Sequence, residues 1–174
     1  VNAAGISEKI AFTKIPAPTL DTFVQGGKVG DSITLTGTNL SSVSAVKIGS
    51  VSVVANTISS TATSVQFSIP AGAVSGKVTV VAAGGSVVSV STLSVYLAPT
   101  ISKLSATSGK AGASIVITGT NLLNATVTLN GTNCAITKIS ATSITFTVPA
   151  IALGNWALVV TTGGGSATKS FTVK

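Results

Sequence analysis

The stretch GTNL occurs at Gly37–Leu40 and again at Gly119–Leu122, 82 positions later (119 − 37). Each copy closes a short alternating run, SITLT from Ser32 and SIVIT from Ser114. Each follows a lysine set between glycines, GKVG at Gly27 and GKAG at Gly109. Apolar residues at every second position put one face on a core and the other on solvent, the pattern of a half-buried strand. GTNL therefore reads as structural punctuation. The glycine can take φ > 0 where the strand ends, the asparagine can hydrogen-bond its own turn, and the leucine folds back into the core.

Working outward, the two copies align over nearly the whole chain. Pro18-Thr19-Leu20 matches Pro99-Thr100-Ile101, and TATSVQFSIPA from Thr61 matches SATSITFTVPA from Ser140. GGS at Gly84 matches GGS at Gly164, and LSV at Leu93 matches FTV at Phe171. The offsets drift by a few residues, which places insertions in loops. A period this long, present twice, means two tandem domains rather than a solenoid of small units. Val46 and Ile48 answer Val127 and Leu129, while Val65, Phe67 and Ile69 answer Ile144, Phe146 and Val148. The runs are short, β-branched and bounded by Gly, Asn, Pro and Ser. Six or seven per copy suit an antiparallel sandwich, so the fold class is all-β: two tandem sandwiches and an extra N-terminal strand segment.

The order Pro-Thr-Ile from Pro99, Ser-Gly-x-x-Gly from Ser108, Thr-Gly-Thr-Asn-Leu from Thr118, Val-Pro-Ala from Val148 and Gly-Gly-Ser from Gly164 resembles the IPT/TIG domain. That resemblance implies an immunoglobulin-like, E-set sandwich, a scaffold used in plexins, some transcription factors, starch-acting enzymes and bacterial surface proteins. It covers Pro18–Val95 and Pro99–Val173; the first copy departs at FVQGGKVG, which lacks the turn serine. The chain divides accordingly into residues 1–17, 18–96 and 97–174. Only Tyr96, Leu97 and Ala98 separate the copies, so a stiff rod is expected.

Composition narrows the function. There are 174 residues, ten lysines, no arginine, and only Glu8, Asp21 and Asp31 as acids, for a net charge of +7. With 7% charged residues the chain either covers its surface with Ser, Thr and Asn or buries it against copies of itself. The lysines lie singly, without the arginine forks that read nucleic acid, so no nucleic-acid partner is expected. No apolar run is long enough to span a membrane. Histidine is absent, which removes the commonest general base and zinc ligand. Three acids cannot build a calcium cage. Neither an enzyme nor a cofactor or metal is expected. The lone Cys134 reads as a small buried hydrophobe. The opening VNAAGIS carries no leader-like pattern and reads as a trimmed, exported product, extracellular or at a cell or virion surface.

Two functional readings remain. Val1–Ala17 is unused by the repeats, and Ile6, Ile10, Phe12 and Ile15 give it the apolar positions of a strand. Such a strand can add to a neighbouring copy and link subunits head to tail into a filament, pilus-like fibre or surface layer. The alternative is a glycan-binding adhesion module, for which Trp156 and Tyr96 are the candidate platforms, since Phe67, Phe146 and Phe171 point inward. Aligned from Pro149, Trp156 matches Lys77 and faces out; aligned from Gly164 it matches Gly76 and joins the core edge. Tyr96 lies at the domain junction. Asn39, Asn124 and Asn130 head glycosylation sequons.

Overall fold

A computed structural model describes residues 13–174. It contains four sheets, and each draws its strands from one copy of the repeat. In the first copy, β1 (Thr19–Leu20), β3 (Ser32–Thr38), β7 (Ser64–Ser68) and β6 (Ser59–Ser60) form one layer in the order β1-β3-β7-β6. The facing layer is β2-β9-β8-β4-β5, from β2 (Gly26–Lys28), β4 (Ala45–Ile48), β5 (Val51–Ser52), β8 (Gly76–Ala82) and β9 (Gly85–Tyr96). The second copy repeats this plan. Its layers are β10-β12-β16-β15 and β11-β18-β17-β13-β14. The first uses β10 (Thr100–Leu104), β12 (Ser114–Thr120), β15 (Ala135–Ile139) and β16 (Ser143–Thr147). The second uses β11 (Ser108–Gly109), β13 (Thr126–Leu129), β14 (Thr132–Asn133), β17 (Gly154–Thr162) and β18 (Gly165–Val173). Nine strands per copy exceed the expected six or seven because several edge pieces are only two residues long, too short to show a period.

The alternation read in the sequence sets the cores. Along β3 burial alternates without a break, Ile33, Leu35 and Gly37 in and Ser32, Thr34 and Thr36 out. β12 buries Ile115 and Ile117 in the same way. Phe67, Phe146 and Phe171 are fully buried, and the last two meet edge to face at 6.3 Å. Leu40 and Leu122 are fully buried too. Burying a side chain of this size contributes about 1.5–3 kcal/mol.

The remaining parts of GTNL act differently from the expectation. Gly37 and Gly119 do not adopt positive φ; Asn39 (φ 54°) and Asn121 (φ 55°) do. The glycines are required by proximity. A Cβ on Gly37 would strike the Thr19 carbonyl oxygen, and one on Gly119 the Thr100 carbonyl oxygen. Nor do the asparagines bond their own turns. Asn39 Nδ2 donates to Ala17 O at 3.0 Å, and Asn121 Nδ2 donates to Ala98 O at 2.9 Å. Each amide clasps the chain as it arrives at its sandwich, just before the buried Pro18 or Pro99.

The drift in offset is not confined to loops. From Gly84 to Leu93 the first copy carries two more residues than the second does from Gly164 to Phe171. They sit inside β9 as a bulge, where pairing passes from Lys77↔Thr92 to Thr79↔Val88. Ser89 turns inward there and makes the bulge tolerable. Its Oγ accepts from Val78 N at 2.9 Å and donates to Ser91 O at 2.6 Å, so no polar group is buried unpaired. A short 3-10 turn, Ala55–Thr57, accounts for a second difference and leaves β6 much shorter than its counterpart β15.

The clasp and the close approach should separate by mutation. Gly119→Ala forces main chain apart and should cost about 1–3 kcal/mol. Asn121→Ala removes one exposed hydrogen bond and should cost about 1 kcal/mol or less. Urea denaturation of each variant checks the order; an equal or reversed order would sink the steric account of the glycine.

Candidate functional site

The chain leaves the first sandwich through β9 and reaches the second within three residues, so both sandwiches contribute to one cleft of about 380 Å3. From the first come Val95 and Tyr96, and from the connection Leu97. The second supplies Asn121, Leu123 and Asn124 from the loop after β12, and Thr162, Gly163 and Gly164 from the β17–β18 hairpin. Tyr96 is the last residue of β9, paired with Lys28 of β2. Strand alternation sends Val95 into the core and the Tyr96 ring to the outside, 47% exposed. The ring lies back over Gly26, where an added Cβ would meet the hydroxyl oxygen at 2.6 Å. Its root faces Gly163, whose added Cβ would stand 3.7 Å from Tyr96 Cγ. Leu97 and Leu123 are exposed, and Leu97 O passes so close to Gly164 that a side chain there could not fit.

The lining is chemically mixed and uncharged. One phenol and two leucines offer apolar area. The amides of Asn121 and Asn124 and the hydroxyl of Thr162 offer donors and acceptors. Asn121 spends one N–H on Ala98 O. Asn124 is exposed with φ 58°, a left-handed turn conformation that asparagine tolerates.

Trp156 lies elsewhere. It pairs with Phe171, as Gly76 pairs with Leu93, so Gly76 is its counterpart and it shares the inward face of β17 with Leu158 and Val160. The indole is half-buried against the second core, and Nε1 donates to Ala152 O at 2.8 Å. Six positions of extended strand, roughly 20 Å at about 3.3 Å per residue, separate it from Thr162 at the cleft. The two candidate platforms therefore do not form one site. Of the proposed linking residues, Ile6, Ile10 and Phe12 lie outside the described residues. Ile15 is 55% exposed, one residue before Pro16, whose carbonyl crosses over Gly84 as that of Leu97 crosses over Gly164.

Sequence reasoning named Tyr96, read Asn124 only as a glycosylation sequon, and missed Leu123 and Thr162. Their signal was present: each departs from its counterpart (Ser42, Ser41, Ala82) while the flanking GTNL and GGS residues repeat.

The other chemistry-bearing residues serve the fold. Cys134 stands where the first copy has Val53; their N–H groups donate to Val127 O and Val46 O, each at 2.9 Å. Burial pushes its thiol from 9.0 up to about 11. Asp21 accepts from Thr36 Oγ1 at 2.7 Å and Asp31 from Lys28 N at 3.0 Å. Lys169 Nζ donates to Ser102 O at 3.0 Å and tethers β18 to β10. Among the described residues no group of three His, Cys, Asp or Glu side chains could hold a metal ion. No helix among them is long and apolar enough to cross a membrane.

The sequence model of the IPT/TIG domain matches residues 18–96 and 99–173. The chain belongs to the IPT/TIG domain family. Similar solved structures include SGBP-B from a xyloglucan utilization locus of Bacteroides uniformis, at 23% identity and TM-score 0.44, over 90% of this chain and 49% of that one. They include the surface glycan-binding protein PbSGBP-B of Prevotella bryantii, at 22% identity and TM-score 0.45, over 90% and 42%. The extracellular region of plexin A4 is similar at 19% identity and TM-score 0.47, over 98% and 17%. This IPT/TIG pair thus spans less than half of each of those chains. No curated protein sequence matches it.

Two outcomes test the structural roles. Cys134 should resist alkylation at pH 8 in the native protein and react at once in denaturant, with the native rate rising as pH approaches 11. A raised folded-state value means that its stability contribution is complete below pH 9 and is lost as pH climbs through about 11. Trp156→Ala should lower unfolding stability by about 2–3 kcal/mol, below the full cost of a buried aromatic. An unchanged denaturation midpoint would show that the indole does not support the core.

Proposed function

We propose that this IPT/TIG pair is a non-enzymatic, extracellular adhesion module that contacts neutral glycan in the cleft between its sandwiches. The observation that carries the reading is the cleft lining. An exposed phenol ring stands beside two leucines, two side-chain amides and a hydroxyl, with no charged side chain in the wall. A sugar presents an apolar C–H face and a rim of hydroxyls. An aromatic surface takes the first and amide groups take the second, and together they fix orientation in a concave site. A wall without charge suits an uncharged saccharide better than an acidic one. Trp156 belongs to the core edge in this reading and contributes no contact.

Head-to-tail assembly is the second reading. It is favoured by one observation: Ile15 is exposed at the position equivalent to Tyr96, where the chain arrives at the first sandwich. The far face of that sandwich, however, carries Ser41, Ser42 and Ala83 where the junction has Leu123, Asn124 and Gly163, so the junction itself is not encoded for repetition.

The test is affinity electrophoresis and calorimetry against neutral polysaccharides, xyloglucan and mixed-linkage glucan among them. Tyr96→Ala should abolish retardation while Trp156→Phe retains it. Absence of binding to every neutral polysaccharide, or retention by Tyr96→Ala, would reject the cleft. Light scattering of the full chain and of residues 17–174 then decides the assembly reading, which requires polymers from the first and monomers from the second.

A further inference from the structure

The two copies of the repeat act as an internal control for what the fold requires. Residues that build each sandwich appear in both: Gly37 and Gly119, Asn39 and Asn121, Gly84 and Gly164, Pro18 and Pro99. Several residues that meet at the junction do not. Tyr96 ends β9, whereas Lys174 stands at the equivalent position after β18. Gly26 pairs with Ser94 and Ser108 pairs with Thr172, so Ser108 is the counterpart of Gly26. Gly163 sits in its hairpin where the first copy has Ala83, and Leu123 where it has Ser41. A junction that followed passively from joining two like domains would not need the paired departures at Tyr96 and Gly26.

The geometry gives them a purpose. The Tyr96 hydroxyl and Cζ occupy the space that a side chain at position 26 would fill, at 2.6 and 2.8 Å from its Cβ. A serine there, as in the second copy, would evict the ring. At the other end the ring root lies against Gly163, at 3.7 Å for Cγ and 3.8 Å for Cδ2 from an added Cβ. The ring thus has its tip on the first sandwich and its root on the hairpin of the second. Leu97 O over Gly164 and Asn121 Nδ2 on Ala98 O fix the three connecting residues to the second sandwich. Domains joined by a small interface move relative to one another by default. A rigid two-torsion aromatic seated on both sides opposes that motion at low entropic cost.

We propose that Tyr96, seated on Gly26 and against Gly163, is a dedicated joint that fixes the angle between the two sandwiches. The partner surface of the first sandwich is the β17–β18 hairpin tip of the second. The joint stands independently of glycan binding and does not require it.

Spin labels report it directly. Lys47→Cys and Lys138→Cys place one exposed label on each sandwich, and Cys134→Val, the residue of the first copy, removes the native thiol. The full chain should give a single narrow distance distribution. Gly26→Ser and Tyr96→Lys, each the second copy's own residue, should lose that narrow peak while every variant keeps its far-ultraviolet spectrum. Gly163→Ala adds only ordinary contact and should keep it. A broad distribution in the parent chain, or a narrow one retained by Tyr96→Lys, overturns the joint. If Gly26→Ser unfolds the first sandwich through its 2.9 Å approach to Ser94 O, Tyr96→Lys decides alone.

Discussion

Everything in this chain hangs on a crossing of backbone over backbone. Each sandwich is reached by a segment that runs over the end of a central strand and over a hairpin tip. Side chains are excluded at both places, by Gly37 and Gly84 in the first copy and Gly119 and Gly164 in the second. The crossing also needs its carbonyls satisfied, and the asparagine of GTNL supplies one donor by turning into the left-handed region. Once the segment is held, its proline is buried and the first strand pairs with the third. The two sheets then close over a core of valine, isoleucine, leucine and phenylalanine.

That core holds together a chain poor in charge whose single cysteine can form no intrachain disulfide. Outward positions are mostly Ser and Thr, which bond along and across the strands, as Thr19 does with Thr38 and Thr100 with Thr120. The few charged groups are used locally. Asp21 is replaced in the second copy by Ser102, whose hydroxyl donates to Thr118 O at 2.8 Å. A carboxylate in one copy and a hydroxyl in the other meet the same strand, so the fold asks for a short polar side chain and not for a charge.

The sandwich architecture was legible because period-two burial and turn chemistry are local signals. Ile33, Leu35, Ile115 and Ile117 fall where alternation places them. What GTNL does was not legible, since its glycine and asparagine answer to Thr19, Ala17, Thr100 and Ala98, 18 to 23 residues away in sequence. The β9 bulge was hidden for a similar reason. The repeat offsets show two extra residues between Gly84 and Leu93, but only the partner strand reveals that they sit inside the strand as a bulge rather than in a loop. Trp156 needed the pairing with Phe171 to choose between two alignments that the sequence left open. The cleft was half visible: Tyr96 stood out as a rare aromatic, but its neighbours come from loops 25 to 68 residues downstream.

Two sandwiches of one plan in tandem offer few places for a unique site. Any surface on one has a counterpart on the other, and the fold's own requirements keep both alike. The junction escapes this equivalence by construction, because there the bottom of one copy meets the top of the next. Several departures from the repeat fall there: a tyrosine for a lysine, a glycine for a serine, a leucine and an asparagine for two serines. An aromatic that tolerates partial exposure, its tip in the room left by Gly26 and its root against Gly163, can stiffen the joint on one side and leave its other surface to a ligand. The same ring can do both because its buried contacts involve its tip and root, while nearly half of its surface stays in solvent.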